Sequence, residues 1–358
     1  MRTILAIAAG LLALAPHTVY AQAAETKTAE QVYKNIVELK GTPADQLGAT
    51  MQFMAASLGV DCNFCHVQGK MEADDKGAKK TAREMLALTM ALNKNSFHGQ
   101  LQVSCYSCHR GAARPVAVPP VLESDAPARP EARPMTPGGA PQGPNADEIL
   151  QKYVTGLGGA DAIQKITSRS MTGKIITGCN ESAIEVLTKA PNKRITISHT
   201  GTGESFTAFD GSAGWMGSTG RPARDMSAAE SAASAVDAEF YLALRLKEMF
   251  PQLRRGRPDT INGVECNVLS GSGPGKPRTS LYFDSKTGLL VRMVRLTDTP
   301  VGRMPVQIDY ADYRDVDGVK APFRWTLSRP NGRFTIQIAE MKANAPIDDA
   351  KFAKPAAQ

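Results

Sequence analysis

The spacing of apolar positions changes character several times along the chain. After Met1-Arg2, residues Ile4 to Ala15 are almost uninterrupted apolar, and Val19-Tyr20-Ala21 offers small residues flanking position 20 before Gln22. This pattern predicts an export leader, residues 1–21, cleaved after about Ala21; the apolar run is too short to span a bilayer. Helical spacing follows from residue 26 to 111. Thr28-Ala29-Glu30-Gln31 reads as a capping box, Val32, Ile36 and Leu39 continue on one face, and Gly41 can close that helix. Thr42-Pro43 predicts the start of a second helix, with Leu47, Met51, Met54 and Leu58 on one face and Gly59 as terminator. A third helix is predicted from about Gly77 to Asn93, with Ala82, Met85, Leu88 and Leu92 together on one side. From 112 to 145 no periodicity survives, and nine of the 23 prolines fall there. Such a tract reads as a semi-rigid spacer with few contacts across it.

Residues 146–358 change period again. Asn145-Ala146-Asp147-Glu148 predicts a capped helix that Gly158-Gly159 ends. Alternation over Lys193–Thr200, Ser280–Phe283, Leu289–Leu296, Val306–Tyr310 and Phe334–Ile338 predicts strands. Asn262-Gly263, Asp317-Gly318 and Asn331-Gly332 are hairpin signals. One helix, capped by Ser227 with Glu230 and carrying Phe240, Tyr241 and Leu244, interrupts them. The fold class expected is therefore multidomain. A small all-α domain (22–111) precedes an α+β domain (146–358) whose antiparallel sheet of many strands curls around a helix.

Composition narrows the classes without choosing among them. With 42% apolar and 22% charged residues, the 358-residue chain can build real cores, which excludes wholesale disorder. The net charge of +7 is spread without a basic tract, so no nucleic-acid partner is expected. No second long apolar run exists, so no integral membrane segment is expected after leader cleavage.

The chemistry lies in the cysteines. Cys62-Asn63-Phe64-Cys65-His66 and Cys105-Tyr106-Ser107-Cys108-His109 are both C-x-x-C-H, the attachment signature of haem c. Two thiols on one helical turn can form thioethers with the two porphyrin vinyl groups, and the following histidine then stands under the iron as proximal ligand. Two such motifs behind an export leader predict two covalently attached haems, on Cys62, Cys65, Cys105 and Cys108, with His66 and His109 on the irons. A zinc site built from the two cysteine pairs is the bland alternative. Distal ligands are open on this reading alone: Met51 or Met54 for the first haem, Met85, Met90 or His98 for the second. Cys179 and Cys266 are left over, as a disulfide or as two free thiols, and His199 reads as a solvent-facing strand residue.

Ser57-Leu58-Gly59-Val60 leading into the first motif, and Cys105 through Gly111, resemble the cytochrome c subunit of photosynthetic reaction centres. The resemblance covers roughly Ala29 to Pro115. It implies a helix supplying an axial methionine for each haem, and so favours Met51 for the first and Met85 for the second; one haem of that family uses histidine, which keeps His98 in view. The family carries four haems, this chain two motifs. Leu281 to Val291 and Asp348-Asp349-Ala350-Lys351-Phe352 resemble the half-barrel of bacterial lipoprotein carriers. The function expected is a one-electron carrier in the periplasm, not an enzyme, working between a protein donor and acceptor. Its second domain is expected to be a docking or hydrophobic-ligand-binding module. A lipid-binding protein with redox-sensing haems and a dihaem peroxidase-type enzyme with one open haem are the other readings.

Overall fold

The computed structural model describes residues 27–115, 143–201, 203–330 and 332–355. The predicted leader and most of the proline-rich spacer lie outside these residues. The first stretch is all helical: α1 (Ala29–Val32), α2 (Gln46–Leu58), α3 (Cys62–Cys65), α4 (Gly77–Ser96) and α5 (Cys105–His109).

Helix α1 is one turn long, shorter than its periodicity predicts. Asn35 leaves the helical path in the left-handed region, φ 59°. Its side-chain amide donates to the Glu72 carbonyl (2.5 Å) and to the Asp74 carboxylate (3.0 Å). A short helix with little to pack against yields to such long-range bonds. Helix α2 begins after Asp45 and not at Pro43, because the Thr42 carbonyl already accepts the Ala29 amide at 2.7 Å. It ends where glycine allows. Gly59 sits at φ +66°, and a Cβ there would also overlap the Gly111 carbonyl oxygen, so no other residue fits. The Gly111 amide donates to the Ser57 carbonyl at 2.9 Å. Helix α5 thus packs on α2, while α3 packs on α4.

The larger unit opens with α6 (Ala146–Leu157), whose predicted capping box is present: Glu148 N–H to Asn145 Oδ1 at 3.0 Å, Asn145 N–H to Glu148 Oε2 at 2.8 Å. Gly158 and Gly159 end it, and α7 (Ala160–Lys165) follows. Six strands come next: β1 (Ser168–Thr177), β2 (Asn180–Lys189), β3 (Lys193–Thr200), β4 (Gly203–Phe209), β5 (Gly214–Ser218) and β6 (Arg221–Asp225). Helices α8 (Ala228–Ala238) and α9 (Leu242–Met249) interrupt the strands. Eight further strands complete the sheet: β7 (Arg254–Arg255), β8 (Asp259–Ile261), β9 (Val264–Gly273), β10 (Lys276–Asp284), β11 (Leu290–Thr299), β12 (Gly302–Val316), β13 (Val319–Arg329) and β14 (Gly332–Ala343). Paired strands are antiparallel, in the order β6-β5-β4-β3-β2-β1-β14-β13-β12-β11-β10-β9-β7, with β8 on β9.

The sheet curls around a helix, as the alternation predicts. Helix α8 touches β3, β4 and β5 on one side and β10 on the other, strands that lie far apart in the sheet order. Arg194 of β3 likewise stands over the Trp325 ring of β13 at 5.8 Å, with β2, β1 and β14 between them. The single helix predicted after Ser227 is two. The chain breaks at Glu239–Tyr241, where the Phe240 amide donates to the Pro191 carbonyl (3.0 Å) and Glu239 accepts from Arg245 (2.7 Å). The main core lies between α6, α7, α9 and strands β9 to β11, around Tyr153, Leu246, Phe250, Leu269, Leu281 and Phe283.

Within the curl Arg295, only 4% exposed, makes a two-pronged contact with Asp237 of α8 at 2.8 and 3.0 Å and donates to the Ala233 carbonyl at 2.9 Å. Cys179 stands free and exposed between β1 and β2; Cys266 is free and buried in β9. His199 pairs with Glu204 at 2.9 Å on the outer part of β3.

The helical and sheet units meet. Val301, in the turn between β11 and β12, is 1% exposed and belongs to the small cluster of Ala29, Leu39, Leu47 and Leu86.

Candidate functional site

Each attachment motif is a single helical turn, which puts two cysteines three residues apart on one side. Asp61 caps α3, its carboxylate accepting the Asn63 amide at 3.0 Å. Ser104 caps α5, its amide donating to Ser107 Oγ at 3.1 Å. Of the thiols, Cys62 and Cys108 are exposed and Cys65 and Cys105 half-buried. Burial pushes the Cys65 and Cys105 thiols up.

Both motif histidines are fixed in the same way. His66 Nδ1 lies 2.7 Å from the Met71 carbonyl oxygen, and His109 Nδ1 lies 2.9 Å from that of Ala112. A carbonyl can only accept, so Nδ1 carries the proton and the Nε2 lone pair is left for a metal. A bond of this kind is the outer-shell contact that would orient an imidazole toward a metal. The turns that supply the acceptors differ. After α3 the chain extends at His66 (φ −112°), whereas after α5 it passes through left-handed Arg110 (φ 51°) and Gly111 (φ +86°).

The Met71 carbonyl is itself held. Buried Lys79 donates to the carbonyls of Met71 (3.0 Å), Glu72 (2.9 Å) and Ala73 (2.8 Å) and pairs with Asp74 at 3.1 Å. Asp74 also accepts from Arg83 at 2.9 Å and from Asn35. These donors, Arg83 foremost, hold its carboxyl far below the usual carboxylate range. A depressed carboxylate contributes stability that is present above its unfolded pKa and lost as pH falls through the folded one. The loop should therefore hold throughout the ordinary acid range and loosen only in strong acid. Asp74→Asn should remove that dependence and raise amide exchange over residues 67–76 at neutral pH; unchanged exchange would contradict the role given to Asp74. Asn93, 5% exposed near the end of α4, does the same work before the second motif, bonding the Val103 carbonyl (2.7 Å) and the amides of Gln102 and Val103 (3.1 and 3.0 Å).

The rest of the helical unit fits a large apolar guest. Met85, Leu88 and Leu92 form an open stripe on α4, exposed 42%, 59% and 39%, while Leu86 on the other face enters the cluster. Phe64, Met71, Leu101 and Tyr106 are also exposed near the two motifs. A soluble unit rarely leaves so much apolar surface beside so few buried side chains. Two porphyrins on the four thiols would cover it. Among the described residues, no three Cys, His, Asp or Glu side chains gather as a zinc site requires.

Met51 and Met54 lie side by side, half-buried, in the α2 cluster. Met85 and Met90 are exposed on α4, and His98 is exposed in the following loop at φ 53°. Sequence reasoning did not find Lys79, Asp74, Asn93 or the two acceptor carbonyls. Carbonyls carry no residue signature, and a buried lysine inside Lys79-Lys80 reads as a solvated face.

Two helical C-x-x-C-H turns, each with its histidine turned by a backbone carbonyl, present thiols and imidazole in the arrangement that a covalently attached haem requires. Residues 5–146 match the family described as photosynthetic reaction centre cytochrome C subunit, about two fifths of the chain. The photosynthetic reaction center cytochrome c subunit of Thermochromatium tepidum is 34% identical over 87 residues, 23% of this chain and 22% of that protein. The one from Roseobacter denitrificans is 29% identical over 112 residues, 27% of this chain and 30% of that protein. The chain thus spans under a third of the length of these relatives. Solved structures similar to the sheet unit include a DUF1329 family protein from Desulfovibrio piger (TM-score 0.43, 14% identity, 59% of this chain and 98% of that one). Another is a LolA superfamily protein from Nitrosomonas europaea (TM-score 0.42, 14% identity, 59% of this chain and 99% of that one). The half-barrel rests on the sheet itself, whose distant strands β3 to β5 and β10 both meet α8. Among the described residues no helix is long and apolar enough to cross a membrane.

Proposed function

We propose that the chain is an exported cytochrome with two haems c that passes single electrons between protein partners in the bacterial periplasm. Cys62 and Cys65 hold one haem and Cys105 and Cys108 the other, with His66 and His109 as proximal ligands. The observation that carries this reading is the pair of histidines, each with Nδ1 bonded to a backbone carbonyl and Nε2 free. When bound, each haem supplies a one-electron iron couple whose potential its distal ligand tunes. The chain's own contribution is positional. Lys79 and Asp74 hold the carbonyl that orients His66, Asn93 sets the approach to Cys105, and the apolar stripe of α4 keeps water from a bound porphyrin. Met51 and Met85 are the distal ligands in this reading, and with both sixth positions filled no open haem is left for enzymatic chemistry. The sheet unit serves as docking or hydrophobic-ligand module.

Denatured, acid-acetone-extracted protein should retain haem at two irons per chain, and native reduced protein should take up carbon monoxide poorly. One iron, or zinc in its place, would end the reading; ready carbon monoxide binding would return the open-haem enzyme. Met51→Ala should lower one midpoint potential and abolish that haem's sulfur-to-iron charge-transfer absorption. The same change in Met54→Ala instead would move the assignment by three residues, and an unaltered spectrum in Met85→Ala would pass it to Met90 or His98.

A further inference from the structure

We infer that the β11–β12 turn of the sheet unit, through Val301 and Gly302, positions helix α2 and with it the methionine that α2 offers to a haem iron. This rests on the reading above that α2 supplies a distal ligand, and it adds that the second domain sets that ligand's place. Val301 is 1% exposed, buried more deeply than the helical unit's own Leu39, Leu47 and Leu86. The same cluster contains Met51, Phe53 and Met54, so a side chain of the sheet unit shares the packing of both methionines. Beside it, Gly302, at φ +155°, meets the tip of the Phe53 ring, and a Cβ at that position would overlap its Cζ and both Cε atoms.

The turn is stiff enough to act as a stop. It has only two residues, Pro300 and Val301, between paired Thr299 and Gly302. Proline fixes one backbone angle. Thr299, 3% exposed, closes the turn through its hydroxyl, which donates to the Gly302 carbonyl at 2.6 Å. At its end helix α2 is fastened to Gly111, and at its start to Pro43. Phe53 lies two residues after Met51 and one before Met54. A push or a gap at Phe53 therefore moves both thioethers relative to a porphyrin that the cysteines hold in place.

The test uses the full haem-loaded chain. In Gly302→Ala the added methyl displaces Phe53 and also strains the backbone at φ +155°. The midpoint of the haem served by α2 should move by about 59 mV or more, a tenfold change in its one-electron equilibrium, while the other midpoint and the iron content stay put. Combining it with Phe53→Leu should restore most of the shift. Val301→Ala, which leaves the turn's bonds intact, should raise amide exchange along α2 and move the same midpoint. Unmoved midpoints in both single variants would overturn the inference, as would a shift that Phe53→Leu does not relieve. If Gly302→Ala does not fold, Val301→Ala decides alone. Lack of covalent haem in the unmodified protein would instead refute the function proposed above.

Discussion

Replacing both thiols of the first motif, Cys62→Ser with Cys65→Ser, is expected to halve the covalent iron and to loosen the helical unit. The reason is the thinness of its core. Among the described residues, Ala29, Leu39, Leu47 and Leu86 are the buried apolar residues there, joined from outside by Val301. Against them stand exposed Phe64 and Met71, in and just after the first motif. Each large side chain that a porphyrin no longer covers forfeits roughly 1.5–3 kcal/mol of burial. The loss should appear as an early unfolding transition in helical circular dichroism, well below that of the sheet. The second motif should keep its haem, since α5 is capped by its own Ser104 and Ser107 and fastened to Ser57. Full iron content in the double variant, or an unshifted transition, would contradict both the attachment assignment and the role of the porphyrin as core.

The second large effect belongs to the sheet unit. Asp237→Ala is expected to destabilise it by up to about 3–5 kcal/mol, because it leaves the buried Arg295 guanidinium without its carboxylate, although Asp237 itself is one-third exposed. Among the described contacts, Arg295 would keep the Ala233 carbonyl as acceptor but lose both carboxylate oxygens. Its neighbours make matters worse. Arg194 and Arg329 both feel the Asp237 carboxylate and repel Arg295. For Arg194, burial draws the guanidinium down from its ordinary value, the mark of a cation placed where water is scarce. Replacing both members of the pair with apolar residues, Asp237→Leu with Arg295→Met, should cost much less than the single change. Chemical denaturation followed by the β-sheet signal measures both. A loss below about 1 kcal/mol for Asp237→Ala would place the pair among weakly contributing surface bridges.

Local signals in the chain translated well where they compete with nothing. The Asn145 cap, the Gly158 stop, strand β3 and the turns at Asn262-Gly263 and Asp317-Gly318 depend on residues within a few positions of one another, and all form. Distant partners decided the rest. Asn35 abandons a predicted helix to reach Glu72 and Asp74, and the helix after Ser227 breaks where Phe240 meets Pro191. The α4 stripe shows the limit of periodicity. Met85, Leu88 and Leu92 do share a face, but that face is the open one, because spacing reports what an apolar stripe needs and not whether protein or cofactor supplies it. The two C-x-x-C-H motifs were legible from spacing alone, whereas the carbonyls of Met71 and Ala112 became visible only once the backbone was folded.

The place of Val301 also bears on the order in which the protein can be finished. During translation the α2 cluster is made early, yet the side chain that closes it lies some 250 residues further on. At roughly 5–20 residues per second, the helical segment waits on the order of ten to fifty seconds before its last packing partner exists. Its contacts with residues 29–86 are local by comparison and can form at once. A segment so arranged is first to be synthesised and last to be sealed, so the attachment cysteines spend that interval on a helical unit whose own packing is still incomplete.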